Sequence, residues 1–483
     1  MKRRDLPIIP LSPRPIRPDV GPDAHAVRLD LDPVGPVSGP RIGLVTLGCD
    51  KNTVDSEHMM ASLIGHGARV SSEVSASDVV IVNTCGFIEA AKEQSIETIL
   101  QACELKETGD VKAVVAVGCM VQRYKEELQK EIPEVDLFLG LTELGDLIPA
   151  LKDLGLLAEE SESIPTMERP LRVLATETPH TSFLKISEGC DHSCAFCAIP
   201  LMRGLHRSSP IGELVREARA LESQGVKELN IISQDTTWYG RDRKRQGEGE
   251  GLLPDLLRAL LDDTDIPWFR LFYMYPSGIN RKLVHFLAGE PRILPYLDMP
   301  LQHGSDRILK AMRRPERKRT IRERVRWLRE AIPGLTLRTT VIVGFPGETQ
   351  EDFQELLDLL EELRFDRVGA FPYSLEEGTQ AASMESQVRE EVKRERLDDL
   401  LDVQREISFE LNQDQIGRRT AALVDRVLED DPDFAFQARI ESQAIDVDGV
   451  TNLLPDEDVL PGTFVEVEIV DALDYDLIGQ VRR

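Results

Sequence analysis

Three short apolar runs, IGLVTLGC, VVIVNTC and AVVAVGC, each end in a cysteine: Cys49, Cys85 and Cys119. Helical patterns such as DSEHMMASLIGHG and EAAKEQSIETILQAC lie between them. Strands that alternate with helices build a parallel, doubly wound sheet. Ligands of such sheets bind outside the carboxyl ends of the strands. All three cysteines occupy that position, and their spacings of 36 and 34 residues fit one βα unit each. One crevice is therefore expected to gather them as a ligand set. The bland alternative is three small core residues, since free cysteine is often buried as a hydrophobe. Cys103 lies inside a helical stretch, IETILQACELK, and reads as packing.

The alternation resumes further along. Residues 150–180, with EESESIPTMERP inside, lose periodicity and read as a linker. Six candidate strands follow: SFLKIS, ELNIISQ, WFRLFYM, YLDMPLQ, LRTTVIVGF and RVGAFPY, most of them separated by amphipathic helices. Six βα repeats predict an open, partial TIM-like barrel with its chemistry at the C-terminal strand ends. From Ile416 the texture changes to short alternating strands with Gly and Asp turns, which predicts a small all-β barrel. The expected organisation is a Pro-rich tail over 1–40, an α/β domain over 41–150, a linker over 151–180, the partial barrel over 181–415 and the β-barrel over 416–483.

Composition narrows the function classes. No run of 18 apolar residues suggests a membrane span, and the start MKRRDLPIIP has no apolar signal core. Seven cysteines in 483 residues are too few for a disulfide framework. An odd, clustered set points to metal or redox chemistry in a reducing cytoplasm. The net charge of −27 does not favour a phosphate backbone as partner and suits a basic protein, although acidity also serves solubility.

The loop after the first strand of the six-strand series, ISEGCDHSCAFCAIP, holds Cys190, Cys194 and Cys197 in C-x3-C-x2-C spacing. Four thiolates normally complete the shell of a cubane iron–sulfur cluster, so three leave one iron open to a chelating substrate. Catalytic zinc also uses three protein ligands, and His192 lies within the loop. A residue wedged between ligands reads as exposed or capping.

This loop, placed after the first strand of a six-strand βα barrel, resembles the radical S-adenosylmethionine (SAM) enzymes. The cysteines in LGC, NTC and VGC contexts and the C-terminal β-barrel complete a resemblance to the methylthiotransferases, over about residues 41–483. The resemblance implies two 4Fe-4S clusters, one held by Cys190, Cys194 and Cys197 and an auxiliary one held by Cys49, Cys85 and Cys119. It implies SAM used twice, to methylate a cluster-bound sulfur and to generate a radical that takes hydrogen from the substrate. Phe196 matches the position lying against the adenine, or else anchors the loop. Gln234 and Asp235, in SQDTTWYG, match positions that contact SAM, although strand-end polar residues also cap helices. Arg338 is a candidate partner of the SAM carboxylate or a structural ion pair. Gly344 and Gly347, in VGFPGET, are expected to let the backbone approach the ligand. His303, at another strand end, is assigned no role.

LGCDKNTVDSE resembles the branch that modifies an aspartate on protein twelve of the small ribosomal subunit, whereas the tRNA-modifying branch has a motif closer to GCQMN. Asp50 stands where that branch has proline, and Ser209 where it has arginine. Residues 416–483 carry 16 Asp and Glu against 6 Arg and no Lys, a net of −10. That surface suits a basic ribosomal protein, or the ribosomal subunit carrying it, better than tRNA phosphates. The basic stretch MRRPERKRTIRERVRWLRE, residues 312–330, is the dissenting feature and reads as a solvated helix face paired with acids. A cellular electron donor and a sulfur source are the other partners implied. An iron–sulfur carrier without radical chemistry is the alternative from another class, and methylthiolation of an anticodon-adjacent adenosine is the alternative within the family.

Overall fold

The computed structural model describes residues 39–71, 74–109, 111–158, 171–174, 176–245, 251–429, 431–455 and 459–482. The expected tail over 1–40, apart from Gly39 and Pro40, lies outside the described residues, as does the middle of the 151–180 segment.

The first sheet contains β1 (Arg41–Thr46), β2 (Arg69–Ser71), β3 (Val79–Thr84), β4 (Ala113–Gly118) and β5 (Leu137–Gly140), all parallel, in the order β2-β1-β3-β4-β5. β3 and β4 are buried along their whole length, which explains their unbroken apolar runs. Helix α1 (Asp50–Gly65) packs one face through Met59, Leu63 and Ile64. Helices α2 (Glu89–Thr108) and α3 (Cys119–Glu131) pack the other through Ile99, Val121 and Leu128. Cys103 belongs to that second core, as its helical setting predicts. β2 and β5 escape the sequence pattern because RVS and LFLG are too short to show one.

The second sheet opens with β6 (Thr181–Lys185) and a two-residue ribbon, β7 (Ser187–Glu188) with β8 (Arg207–Ser208), that brackets the cysteine loop. β9 (Glu228–Ile232), β10 (Trp268–Leu271), β11 (Ile293–Asp298), β12 (Thr336–Val343) and β13 (Arg367–Pro372) follow in sequential parallel order. β13 and β6 are the unpaired edges, so the barrel is open. Leu184, Leu229, Ile231, Phe269, Leu271 and Leu337 face the surrounding helices, in the largest core.

The C-terminal strands β14 (Arg419–Val427), β15 (Phe436–Ile440), β16 (Thr451–Leu453), β17 (Phe464–Ala472) and β18 (Leu477–Arg482) form a closed barrel in the order β14-β15-β16-β18-β17. This barrel docks on the face of the open sheet opposite the helices. Leu423, Ala444 and Phe464 meet Ile232, Trp268, Phe272 and Tyr296 there, with Val54 of α1 in the same cluster. Buried charges pin the joint: Arg439 reaches Glu228 and, at 2.7 Å, Asp425, while Arg270 holds Glu228 at 2.8 Å. The described part of the linker is packed rather than loose, with Arg172 fully buried against Glu57 and Glu217.

Candidate functional site

Each N-terminal cysteine stands where its strand ends. Cys49 is the residue before α1, Cys85 follows β3, and Cys119 begins α3. Gly48 makes this convergence possible, because it has φ +95° and a Cβ there would lie 2.9 Å from the Cys85 Cβ. Asn52, fully buried, ties the three turns together. Its amide donates to the carbonyls of Leu47 at 2.7 Å and Thr84 at 3.1 Å. Its Oδ1 accepts from Arg203 at 2.6 Å and lies 3.7 Å from the Cys119 sulfur. Ser95 pins the Cys85 backbone from α2 by bonds of 3.0 Å to both its amide and its carbonyl.

Arg203 comes from the other domain, at the end of the short helix Ile199–Arg203 that follows the second cysteine loop. It also pairs with Asp55 at 3.0 Å and Glu188 at 2.8 Å. Cys119 packs against Ala198 and Met202 of the same segment. The carboxyl end of the first sheet therefore faces the top of the open barrel, and the two cysteine sets share one interdomain region. A second clamp joins the two domains where Arg123 and Lys92 reach the buried Glu376 beyond β13, at 3.0 and 3.3 Å.

In the barrel loop, Cys194 lies 2.9 Å from the Tyr275 hydroxyl. The Tyr275 ring is stacked on His192 at 4.1 Å and carries the Arg314 guanidinium at 3.6 Å. His192 in turn reaches Asp235 at 2.6 Å. Burial pushes the Cys119 thiol up to about 11 and Cys190 to about 12, and raises Cys85, Cys194 and Cys197 as well. Buried thiols of this kind ionise when a cation joins them, and soft thiolates suit iron–sulfur clusters. Among the described residues no three His, Cys, Asp or Glu side chains converge on a single-ion point. In a cubane each cysteine holds its own iron, so its ligands stand apart.

Models of known families match the three sheets in turn. An uncharacterized family, UPF0004, covers residues 41–140, the radical SAM superfamily 184–360 and the TRAM domain 416–481. The ribosomal protein uS12 methylthiotransferase RimO of Anaeromyxobacter sp. (strain K) is 46% identical over 444 residues, 91% of this chain and 93% of that protein. The protein of the same name from Clostridioides difficile (strain 630) is 41% identical over 91% of this chain and 98% of its own length. This chain belongs to the radical SAM methylthiotransferase family, in its RimO branch.

Solved structures agree at the level of fold. The radical SAM methyltransferase TsrM from Kitasatospora setae aligns with TM-score 0.50 and 14% identity over 66% of this chain and 70% of that one. The cobalamin-dependent radical SAM enzyme OxsB aligns with TM-score 0.50 and 15% identity over 76% of this chain and 56% of that one.

The other sequence-predicted positions of the methylthiotransferase divide. Gln234, just past β9, has both amide atoms buried without a hydrogen-bond partner, and so does the hydroxyl of the adjacent Ser233. Unmet buried polar atoms at a strand end are what a bound cosubstrate would satisfy. Asp235 is already engaged, accepting from Thr237 at 2.9 Å as a cap besides meeting His192. Arg338 holds Asp298 at 2.8 Å and lies 3.8 Å from Asp448 of the C-terminal barrel, so its structural ion pair is the arrangement observed. Phe196 is partly buried against Ala195, Ile308 and Phe345. Gly344 does permit a close approach, but of the protein itself: a Cβ would lie 2.3 Å from the Lys393 side chain. Buried His303 accepts from the Ser305 amide at 2.9 Å and faces Glu348, a structural setting. His192 is neither loose nor a cap; it is a stacked partner of Tyr275.

Sequence reasoning missed Asn52, Arg203 and Tyr275. Each is an ordinary polar residue whose partners come from a distant part of the chain. No local pattern announces them.

Proposed function

We propose that this methylthiotransferase attaches a methylthio group to the β-carbon of an aspartate in ribosomal protein uS12. The observation that carries the reading is the presence of two three-cysteine sets facing one interdomain region, in a chain 46% identical to a RimO along nearly its whole length. Cys190, Cys194 and Cys197 would hold the SAM-cleaving 4Fe-4S cluster, and Cys49, Cys85 and Cys119 the auxiliary one. When bound, these groups supply the electron, the radical and the transferable sulfur. The protein's own contribution is placement: Asn52 and Arg203 fix the two sets relative to each other, and Gln234 offers unmet donors and an acceptor to SAM.

The substrate choice draws support from charge. Glu429, Asp433, Glu466, Asp471 and Asp474 are exposed on the C-terminal barrel, which suits a basic protein. Part of the basic 312–330 stretch is engaged internally: Arg322 pairs with Glu362 at 2.6 Å, Lys318 with Glu355 at 2.9 Å, and Arg329 donates to the Leu363 and Arg364 carbonyls, while Arg313 and Arg319 stay exposed.

The test is anaerobic reconstitution with SAM, a reductant and uS12. Cys197→Ala is expected to abolish 5′-deoxyadenosine formation. Cys85→Ala is expected to retain it and to lose methylthio transfer, and Cys103→Ala to change neither. SAM cleavage at the parent rate in Cys197→Ala would overturn the assignment.

A further inference from the structure

Lys51 is a buried cation that the assignments above do not use. It is the second residue of α1, two positions after Cys49, and only 6% of its surface is exposed. Its ammonium rests 3.2 Å from the centroid of the Tyr273 ring, and no described carboxylate comes within ion-pairing distance of it. The nearby acids are committed elsewhere: Asp298 holds Arg338 at 2.8 Å and accepts from the Tyr273 amide at 3.1 Å, and Asp50 takes the Tyr273 hydroxyl at 3.5 Å. A largely buried ammonium with no carboxylate beside it keeps only a small contact with water in place of a counter-charge. A cation kept in that state is poised for an anion.

Its placement says which anion. Tyr273 follows β10 and is held at φ +56°, a backbone region costly for a residue with a Cβ. That strained turn puts the ring under Lys51 at the top of the open barrel. α1 brings the lysine in from the other side, beside Cys49. The ammonium thus lies between Cys49 and the carboxyl end of β10, on the seam that joins the N-terminal cysteine set to the open barrel, which is a place for the reacting side chain of a substrate.

We propose that Lys51 is the receptor for the carboxylate of the substrate aspartate, and so the residue that selects an acidic side chain for this site. The inference rests on the uS12 reading and adds a residue to it. The β-carbon of aspartate is bonded directly to the carboxyl carbon. A charge-assisted bond from the Lys51 ammonium to one carboxylate oxygen therefore fixes the reacting carbon within one bond of an anchored group. The Tyr273 ring supports the ammonium from beneath without competing as an acceptor.

The test compares two uS12 loop peptides, one with the native aspartate and one with asparagine there, in the parent enzyme and in Lys51→Met and Lys51→Arg. The parent is expected to favour aspartate in kcat/KM by on the order of 100-fold, the scale of a buried charge-assisted bond. Lys51→Met is expected to bring that ratio close to one, and Lys51→Arg to keep most of it. The ratio is internal to each variant, so general damage to folding or cluster loading leaves it unmoved. An undiminished ratio in Lys51→Met overturns the proposal. So does an equal loss on both peptides, whether it comes from misfolding or from a lysine that holds the carboxylate of SAM. A parent enzyme that modifies neither peptide but acts on tRNA overturns the uS12 reading itself, and the lysine assignment with it.

Discussion

The Tyr275 hydroxyl lies 2.9 Å from the Cys194 sulfur, which Arg314 also approaches at 4.0 Å. Hydrogen bonds to cluster sulfurs raise reduction potential by stabilising the added negative charge. Tyr275→Phe keeps the ring between His192 and Arg314 and removes only the hydroxyl. Its expected effect is a lower potential for the barrel cluster, read by EPR-monitored titration, with the auxiliary cluster unmoved. An unchanged potential would show that this contact does not persist once iron is bound. The cysteines were readable from sequence because their spacing is itself chemistry. Tyr275 was not, since 81 residues separate it from Cys194 and YMYPSG has no pattern that names a sulfur. Arg338 shows the converse. The sequence left it between a SAM contact and a structural ion pair, and the structure pairs it with Asp298 near the start of β12.

At the scale of elements, alternation of strand and helix was enough to place all six barrel strands and the three cysteine-bearing turns. It could not show how α1 meets the helix Ile199–Arg203, because contacts between domains leave no periodicity in either one. The joint is polar and buried. Arg203 serves Asn52, Asp55 and Glu188 together, while Lys185 pairs with Asp55 and lies 2.6 Å from Glu188. Removing one member of such a set strands buried charges, at a cost of about 3–5 kcal/mol. Arg203→Met is therefore expected to lower the free energy of unfolding, read by urea titration, by that amount and to reduce methylthio transfer more than SAM cleavage, since it loosens one cysteine set against the other. Equal losses of the two activities would mean that Arg203 supports the fold alone.

Across the whole molecule the three domains are locked by buried ion pairs, and these set its response to acid. Arg172 joins Glu57 of α1 to Glu217 on the helix Ile211–Ser223, and His58 lies 3.0 Å from Glu217. Burial alone would raise the Glu217 carboxyl, but the hydrogen bond to His58 and the charge of Arg172 outweigh it and hold it at about 2. A carboxyl depressed in the folded state stabilises above its unfolded value and loses that contribution as pH falls toward its folded one. The melting temperature is therefore expected to drop between about pH 4.5 and pH 2 more steeply in the parent than in Glu217→Gln, with the lock worth about 3 kcal/mol at most. Identical profiles would remove Glu217 from the lock. The acidity of the whole chain was legible as a preference for a basic partner, yet part of it is internal. Asp425 and Asp448 of the C-terminal barrel are spent on Arg439 and on the Tyr296 hydroxyl.

The central claim is that both cysteine sets serve sulfur insertion into a ribosomal protein. Mass spectrometry of uS12 peptides and of tRNA nucleosides, from cells with and without the gene, tests it most directly. Loss of a methylthio increment from one aspartate peptide, with tRNA unchanged, is the predicted result. Loss from an anticodon-adjacent adenosine, with uS12 unchanged, would contradict it.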